Sequence, residues 1–536
     1  MADKPNQPKA SRLRSDWPLW TALALFLFLL LTSFAGQISS GQLILPEEPA
    51  YQRLMVAKNL AAHFSWSINP GEFTSAFGTL LWPLVLAPFF FLLGASTLWP
   101  WAINAVLSVF LIVLAYRVVR EWINAPAAQA ALLALLIVAL PLGVLSASGM
   151  EQVLFLLLLL IFLELWARRM EESSRAGILP LAVIAVLLAS TRYEGMLLVA
   201  LAAFLLLLRR DFRAGLVVPI AAAVPLAIYG LISWRAGWLP IPASVYLRRA
   251  ELIPADLSQL PSIFFRSVDV LGVRPDMRSI VLLVTLLPAW LGLTGRLSSL
   301  RERTFFAPAL ALLAVIAHLT LIGDREIRYD AWLILICSWA VLPALGKILP
   351  EDWQSFSKNV ATLVAGGVLA VLLGFPLLNR GVQGMFLFAN EMNVEKGIYQ
   401  SASRWATQCA SDPVATDAPG TVAFLTGRPV VDLSGFVSVS AFRIRRAGNI
   451  TAEWMQTEAE QHSVSVALIF QPSIQIPAGT IWKRIRGWGL VNCPLCQPVE
   501  IFTVRDDPVI ASCTESFVGN LPVNEILPMP ADGDGP

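Results

Sequence analysis

The sequence predicts a polytopic α-helical membrane protein with a small C-terminal α/β domain. Three observations predict it. Hydrophobic residues make up 56% of the 536 and charged residues only 14%, a balance that suits a chain solvated by lipid. Apolar runs of spanning length follow one another from residue 17 to residue 380, with few charges inside them. Beyond residue 381 the apolar runs shorten to strand length, and four of the five cysteines (Cys409, Cys493, Cys496 and Cys513) gather there. That placement suits a disulfide-bearing domain on the oxidising side of a membrane. A net charge of +2, with no basic cluster interleaved with aromatics, argues against nucleic acid as a partner.

Residues 1–17 read as a cytoplasmic tail. Lys4, Lys9, Arg12 and Arg14 precede the first apolar run, 17–38, and basic residues stay in the cytoplasm, so this span runs outward. No small-residue cleavage site follows it at the usual distance, so it is read as a retained anchor. The transmembrane domain extends over 18–380 and contains a first outer loop at 39–97. That loop opens with Pro46-Glu47-Glu48-Pro49-Ala50-Tyr51-Gln52-Arg53, continues through a short amphipathic helix at 54–63, and turns at Asn69-Pro70-Gly71-Glu72.

The apolar stretch 77–93 is read as a helix that dips into the outer face. Pro83 and Pro88 suit a bent element. A full crossing would also turn Arg168, Arg169, Arg175, Arg209, Arg210 and Arg213 outward, against the positive-inside rule. Spans follow near 98–118, 126–147, 151–168, 178–192, 195–209, 214–235, 278–296, 304–323, 330–347 and 359–380. With the first, that makes about eleven transmembrane helices. An odd count leaves the tail outside, in agreement with its cysteines.

The tail domain, 381–521, is extracytoplasmic on this reading. Strands are expected at 421–425, 429–433, 464–470 and 499–504, and helices at 391–408 and 452–461. Residues 522–536, rich in Pro, Gly and Asp, are expected to be disordered. Cys493-Pro494-Leu495-Cys496 has redox-motif spacing but lacks the strand-to-helix context of such motifs, so a structural disulfide is favoured. Four cysteines allow three pairings, and the sequence does not choose among them.

The candidate chemistry gathers at the outer rim. A hydroxyl is a poor nucleophile, and a carboxylate that accepts its proton during attack is the simplest remedy. Glu48 is the candidate catalytic base, with Glu47 beside it; the bland alternative is a solvated or helix-capping carboxylate. Tyr51 follows on the same segment. Glu151 opens an apolar helix, where its charge also suits the N-terminal dipole. Arg192 and Glu194 lie in a charged hairpin between two short spans. Arg192 suits bidentate phosphate binding, and its bland alternative is pairing with Glu194 or Glu151. Arg328 and Tyr329 sit where a span re-enters, a position suited to a phosphate head group. Arg248, with Arg249, suits the same role or contact with lipid phosphates. The three histidines, His63, His318 and His462, are not at metal-ligand spacing. A divalent cation between Glu47 and Glu48 stays open, and the cofactor is otherwise unknown.

Several of these stretches occur in an order that resembles a known family. They are Glu48-Pro49-Ala50-Tyr51, Ala57-Lys58-Asn59-Leu60, Asn69-Pro70-Gly71-Glu72, Thr74-Ser75 with Leu81-Trp82, and Ser148-Gly149-Met150-Glu151. Thr191-Arg192-Tyr193-Glu194-Gly195, Leu239-Pro240-Ile241-Pro242-Ala243-Ser244, Arg328-Tyr329 and the run 420–435 continue the series. Together they resemble the GT-C class of integral-membrane glycosyltransferases. Within it they are similar to the bacterial branch containing the arabinofuranosyltransferases that cap mycobacterial arabinan.

The resemblance implies a GT-C-like fold, a polyprenyl-phosphate sugar donor and inverting transfer at the outer face of the inner membrane. It also implies an acidic base and a glycan, lipid or protein acceptor. The chain departs from the family in having Glu48 where the family has aspartate, and Pro49 at the second acidic position, unless the register slips so that Glu47 and Glu48 supply the pair. Two other readings compete. A transporter or flippase of a lipid-linked solute favours midplane charges and repeats, which are not visible here. A lapsed relative would serve as a binding module.

Overall fold

The computed structural model describes residues 16–38, 43–171, 177–247, 274–293, 303–322, 327–348, 360–410, 413–448, 450–470, 474, 482–491, 493, 496–504, 507–522 and 526–529. The expectations for Lys4, Lys9, Arg12, Arg14, Arg175, Arg248 and Arg249 fall outside these.

The chain begins with α1 (Trp17–Ile38), followed by α2 (Glu48–His63) and α3 (Leu81–Leu93). The amphipathic helix expected at 54–63 starts six residues earlier, because Pro49 at its first turn is pre-set for helix. α3 has 13 residues, about 20 Å of helix, which is short of the roughly 30 Å hydrocarbon layer.

Next come α4 (Leu98–Trp122), α5 (Pro126–Ala139), α6 (Leu142–Ala147), α7 (Gln152–Met170), α8 (Ile178–Thr191), α9 (Tyr193–Leu208) and α10 (Phe212–Arg235). The span expected at 126–147 is broken between α5 and α6, where Pro141 supplies no amide and disfavours helix at Leu140. After the short α11 (Ala243–Leu247) follow α12 (Pro275–Leu293), α13 (Arg303–Ala317) with a π-helical turn at His318–Ile322, α14 (Ala331–Ile348) and α15 (Val360–Val394). Each predicted span therefore carries helix. Among the described residues four helices, α1, α4, α10 and α14, are long and apolar enough to cross a membrane by length and composition. The sequence-based number of about eleven is larger than that.

The remainder is a mixed domain. A π-helical turn at Glu395–Gln400 leads into α16 (Ser401–Cys409), β1 (Val414–Thr416), α17 (Pro419–Thr426), β2 (Val430–Asp432), α18 (Val439–Arg446) and α19 (Ala452–Gln461). Then come β3 (Val466–Ile469), β4 (Lys483–Leu490), β5 (Val499–Thr503), α20 (Pro508–Gly519) and β6 (Ile526–Met529). The sheet order is β2-β1-β3-β5-β4-β6. β1 pairs parallel with β2 and β3, while β5, β4 and β6 join antiparallel. One face of the sheet buries Trp405, Val422, Val466, Trp488 and Ile501, and the other buries Met455, Ala467, Trp482 and Phe502.

Two sequence-based expectations are corrected here. Residues 421–425 are helical, not a strand. Pro419 starts α17 and Gly427 ends it in the left-handed conformation, and these caps outweigh the strand-like composition between them. Residues 526–529, expected to be disordered, form the edge strand β6 on β4. An edge position tolerates Pro528. The disulfides are Cys409–Cys513 and Cys493–Cys496.

The chain forms two compact units. The helical unit holds the described residues of Met1–Gly36, Trp101–Leu226 and Arg249–Leu387. The sheet-bearing unit holds those of Gln37–Pro100, Ala227–Arg248 and Phe388–Pro536. The first outer loop thus folds with the C-terminal domain. Asn69 shows how: its side chain donates to Val430 O at 2.8 Å and accepts from Val430 N at 3.1 Å, standing in for a neighbouring strand on β2.

The Cys409–Cys513 bond closes a separation of 104 residues, against 3 for Cys493–Cys496. Loop-closure entropy makes the first the stabilising one. Replacing Cys409 and Cys513 with serine is expected to destabilise the sheet-bearing unit by about 2–5 kcal/mol. Replacing Cys493 and Cys496 should cost much less. The denaturant midpoints of the purified full chain compare the two.

Candidate functional site

In the sheet-bearing unit the candidate site forms around the start of α2. Glu48 lies in its first turn and reaches the first turn of α17. Its Oε1 accepts the Gly420 amide and its Oε2 the Thr421 amide, both at 2.6 Å. Gln52 Nε2 adds a bond to Oε1 at 3.2 Å. The carboxylate thus satisfies two of the orphan donors at a helix N-terminus and meets its dipole. Position 420 must be glycine for this docking. A Cβ there would lie 2.6 Å from Gln52 and 2.8 Å from Glu48 Oε1.

Burial pushes the Glu48 carboxyl up to about 7, although Thr421, Gly420 and Gln52 all pull it down. A buried charge is poorly solvated, so burial outweighs the donors. Glu395, in the π-helical turn, is 1% exposed. It is raised well above the carboxylate range by burial and then by the charges of Glu48 and Glu47. Tyr51 and Tyr399 are raised for the same reasons, burial first and Glu395 next. Tyr51 is fixed by Leu45 N, which donates to its hydroxyl at 3.1 Å, and by the Phe424 ring at 5.6 Å. Arg53 is buried, with Nη1 donating to Pro49 O at 2.6 Å and its guanidinium over Phe77 at 5.2 Å.

The structure thus gathers Glu47, Glu48 and Tyr51, as the sequence suggested, and adds Glu395, which sequence reasoning missed. Nothing in the polar helical stretch around Glu395 marks it out. Among the described residues no group of three His, Cys, Asp or Glu is placed to hold a metal ion. What the cluster can do is hold and release a proton near neutrality.

In the helical unit a second cluster forms around Arg192. It sits in extended conformation between α8 and α9. The hairpin is tight because a Cβ at Gly195 would overlap the Leu188 carbonyl. Arg192 Nη2 donates to Glu194 at 2.8 Å, and Nη1 lies 3.7 Å from Glu151. The guanidinium stacks over Tyr329 at 5.0 Å and Phe155 at 5.8 Å. Glu151 precedes α7 and Glu194 lies in the first turn of α9, so each carboxylate also faces a helix N-terminus.

All four residues, Glu151, Arg192, Glu194 and Tyr329, are buried. The bland alternatives foreseen for Arg192 are therefore both present. Two carboxylates already face it. Arg328, next in sequence to Tyr329, is half-buried.

Asp330 follows Tyr329 and belongs to a network the sequence did not reveal. Arg380, 1% exposed within α15, donates to Asp276 Oδ2 at 2.9 Å, to Ala139 O at 3.0 Å, and to Asp330 and Ile327 O. Arg274 donates to Asp276 and Asp330, each at 2.7 Å. Two arginines thus balance two aspartates and pin the 327–330 turn that carries Tyr329. An arginine inside an apolar stretch was the available signal.

Between α4, α5, α7, α12, α14 and α15 lies an apolar cavity of about 90 Å³, lined among others by Leu136, Leu160, Leu283, Leu335 and Leu377. His318 is fully buried, edge-on to Trp332 at 5.6 Å.

Among solved structures the chain is similar to ArnT from Cupriavidus metallidurans bound to undecaprenyl phosphate. The TM-score is 0.51 at 12% identity, covering 91% of this chain and 98% of that one. The apo state of ArnT is similar at TM-score 0.49 and 13% identity, covering 92% and 98%. No family model matches the chain, and no curated protein matches it. The likeness is one of fold alone, that of ArnT, over nearly the whole length. The narrower resemblance to arabinofuranosyltransferases is not among these findings.

Two outcomes test this geometry. The Glu48 carboxyl is raised in the folded protein from its ordinary 4.5 to about 7, so folding takes up a proton. Its contribution is fully present below pH 4.5 and lost as pH rises through about 7. Glu48→Gln should remove that loss and flatten unfolding midpoints measured from pH 4 to 8 (roughly one proton's worth). Coincident slopes in the two proteins would take the proton away from Glu48. Separately, Arg380→Gln leaves the aspartates short of a partner. It should destabilise the helical unit by about 3–5 kcal/mol, read as a lower midpoint for detergent-solubilised protein.

Proposed function

We propose that the chain is a membrane glycosyltransferase. It would move a sugar from a polyprenyl-phosphate donor to a cell-envelope glycan, lipid or protein at the outer face of the inner membrane. The observation that carries this reading is Glu48, a buried carboxyl titrating near neutrality. It lies on a fold whose similar structure was solved with undecaprenyl phosphate. In the proposed single displacement the acceptor hydroxyl attacks the anomeric carbon, its proton passes to Glu48, and the lipid phosphate leaves with the bond electrons. That sequence inverts the configuration. Glu47 and Tyr51 frame the base, while Arg192, Arg328, Tyr329 and Arg248 are proposed phosphate contacts, with Glu151 and Glu194 orienting Arg192. Beyond its three hydrogen bonds, from Gly420, Thr421 and Gln52, Glu48 keeps one lone-pair site on Oε2 for a further contact. The apolar cavity in the helical unit suits part of a lipid chain.

The make-up of the sheet-bearing unit supports the proposed topology of about eleven spans. If 77–93 stays at one face and the other runs each cross, the chain near 38, 98, 235 and 388 lies on one side. Those are the stretches that enter this unit. Were 77–93 a crossing, Ser75 and Ser233 would fall on opposite sides of the bilayer, yet their hydroxyls hydrogen-bond at 2.9 Å. With α1 running outward, that side is the extracytoplasmic one, where the disulfides belong.

One observation favours a second reading, a donor-binding protein without transfer: both Glu48 oxygens already accept main-chain amides. A single experiment separates the two. Purified protein in vesicles is given a panel of polyprenyl-phosphate sugars, and both donor binding and release of lipid phosphate are scored. We expect release by the wild type and a loss of at least about 100-fold in Glu48→Gln. Binding without release in the wild type would establish the second reading, and undiminished turnover in the variant would remove Glu48 as the base.

A further inference from the structure

The last turn of α10 presents Leu231 and Ile232 outward, then Trp234, which is 64% exposed, then an exposed Arg235. Ser233 points the other way, donating to Leu239 O at 2.6 Å. The chain turns at Gly237, and α18 lies along the segment that follows. Phe442 packs against Trp238 at 5.5 Å and Tyr246 at 5.9 Å, forming a small buried core under the helix. On its outer side Arg443 donates to Gly237 O at 3.1 Å. Arg446 donates to the Tyr246 hydroxyl at 3.2 Å, its guanidinium 5.1 Å over that ring. Both arginines are exposed, and neither pairs with a carboxylate among the described residues.

A guanidinium has five N–H donors, so each of these retains most of its donors for an outside partner. Arg445 behaves differently: it turns inward to Ser434 O at 2.6 Å and over Phe436 at 5.6 Å.

The order apolar, tryptophan, arginine is that of a side chain series passing from hydrocarbon to head groups. α10 is also one of the four helices fit to cross a membrane. We infer that α18 lies in the lipid head-group layer, where Arg443 and Arg446, with Arg235, bind the phosphates of anionic phospholipids. Charge complementarity selects that occupant: three cations, uncompensated among the described residues, stand at the level where the chain leaves the hydrocarbon. The inference does not depend on the proposed glycosyl transfer.

The test uses the full chain in nanodiscs of pure phosphatidylglycerol or pure phosphatidylcholine, with amide hydrogen exchange followed over 439–446. We expect exchange about fivefold or more slower in the anionic disc. The difference should disappear in about 1 M salt, where the Debye length falls to about 3 Å, and in the double variant R443Q/R446Q. The inward-facing R445Q should keep it. Equal exchange of the wild type in the two lipids overturns the inference without reference to any variant. Equal protection in phosphatidylcholine on adding inorganic phosphate would assign the patch to a soluble phosphate ligand and overturn the lipid assignment.

Discussion

A glutamate that closes the end of another helix is the contact on which the sheet-bearing unit turns. Glu48 sits at the start of α2 and receives the first free amides of α17, which lies 372 residues away in sequence at Gly420. Isolated, α17 is eight residues long, too short to hold itself together. Its N-terminus needs an acceptor, and Glu48 supplies one for two of its amides. The same contact buries the carboxylate and so raises its affinity for a proton. Helix docking and near-neutral titration are two results of one placement, and neither can be tuned alone.

The helical unit obeys the complementary constraint. Charges among apolar helices persist only when balanced and hydrogen-bonded. Arg380, Arg274, Asp276 and Asp330 form a neutral quartet, and Arg192 faces two carboxylates that also meet helix N-termini. Tyr329 and Asp330 are consecutive, so one turn serves both networks. The position of the Tyr329 ring over Arg192 therefore depends on an arginine on α15, which holds Ile327 and Asp330 on either side of it.

Much of the helical architecture was legible because lipid imposes a single rule: long apolar runs become helices. The helix at 452–461 and the strands near 430, 466 and 500 were legible from periodicity. Residues 421–425 were not. Five apolar or β-branched residues read as strand, and what makes them helical is Pro419 before them, Gly427 after them, and a glutamate from a distant loop. β4 was missed because the adjacent Lys483 and Arg484, with Gly487 and Gly489, make it poor in strand-forming residues. At the site, Glu47, Glu48 and Tyr51 were found because two acidic residues beside an apolar run stand out. Glu395 lies in polar surroundings and becomes unusual only through burial, which a single sequence does not display. The pairing of Asp276 with Arg380 spans 104 residues and has no local signature at all.

The sheet-bearing unit is assembled from three separated stretches of chain, and that imposes an order on biogenesis. Its first stretch emerges early, carrying Tyr51, Leu54 and Val56, all of which end up fully buried. Their partners on α16, α17 and the sheet follow far later in the chain, as the 373 residues between Glu48 and Thr421 show. Until the ribosome reaches them, the early segment waits with its apolar face uncovered. Folding of this unit therefore waits for its distant stretch, and the early segment needs shelter in the interval.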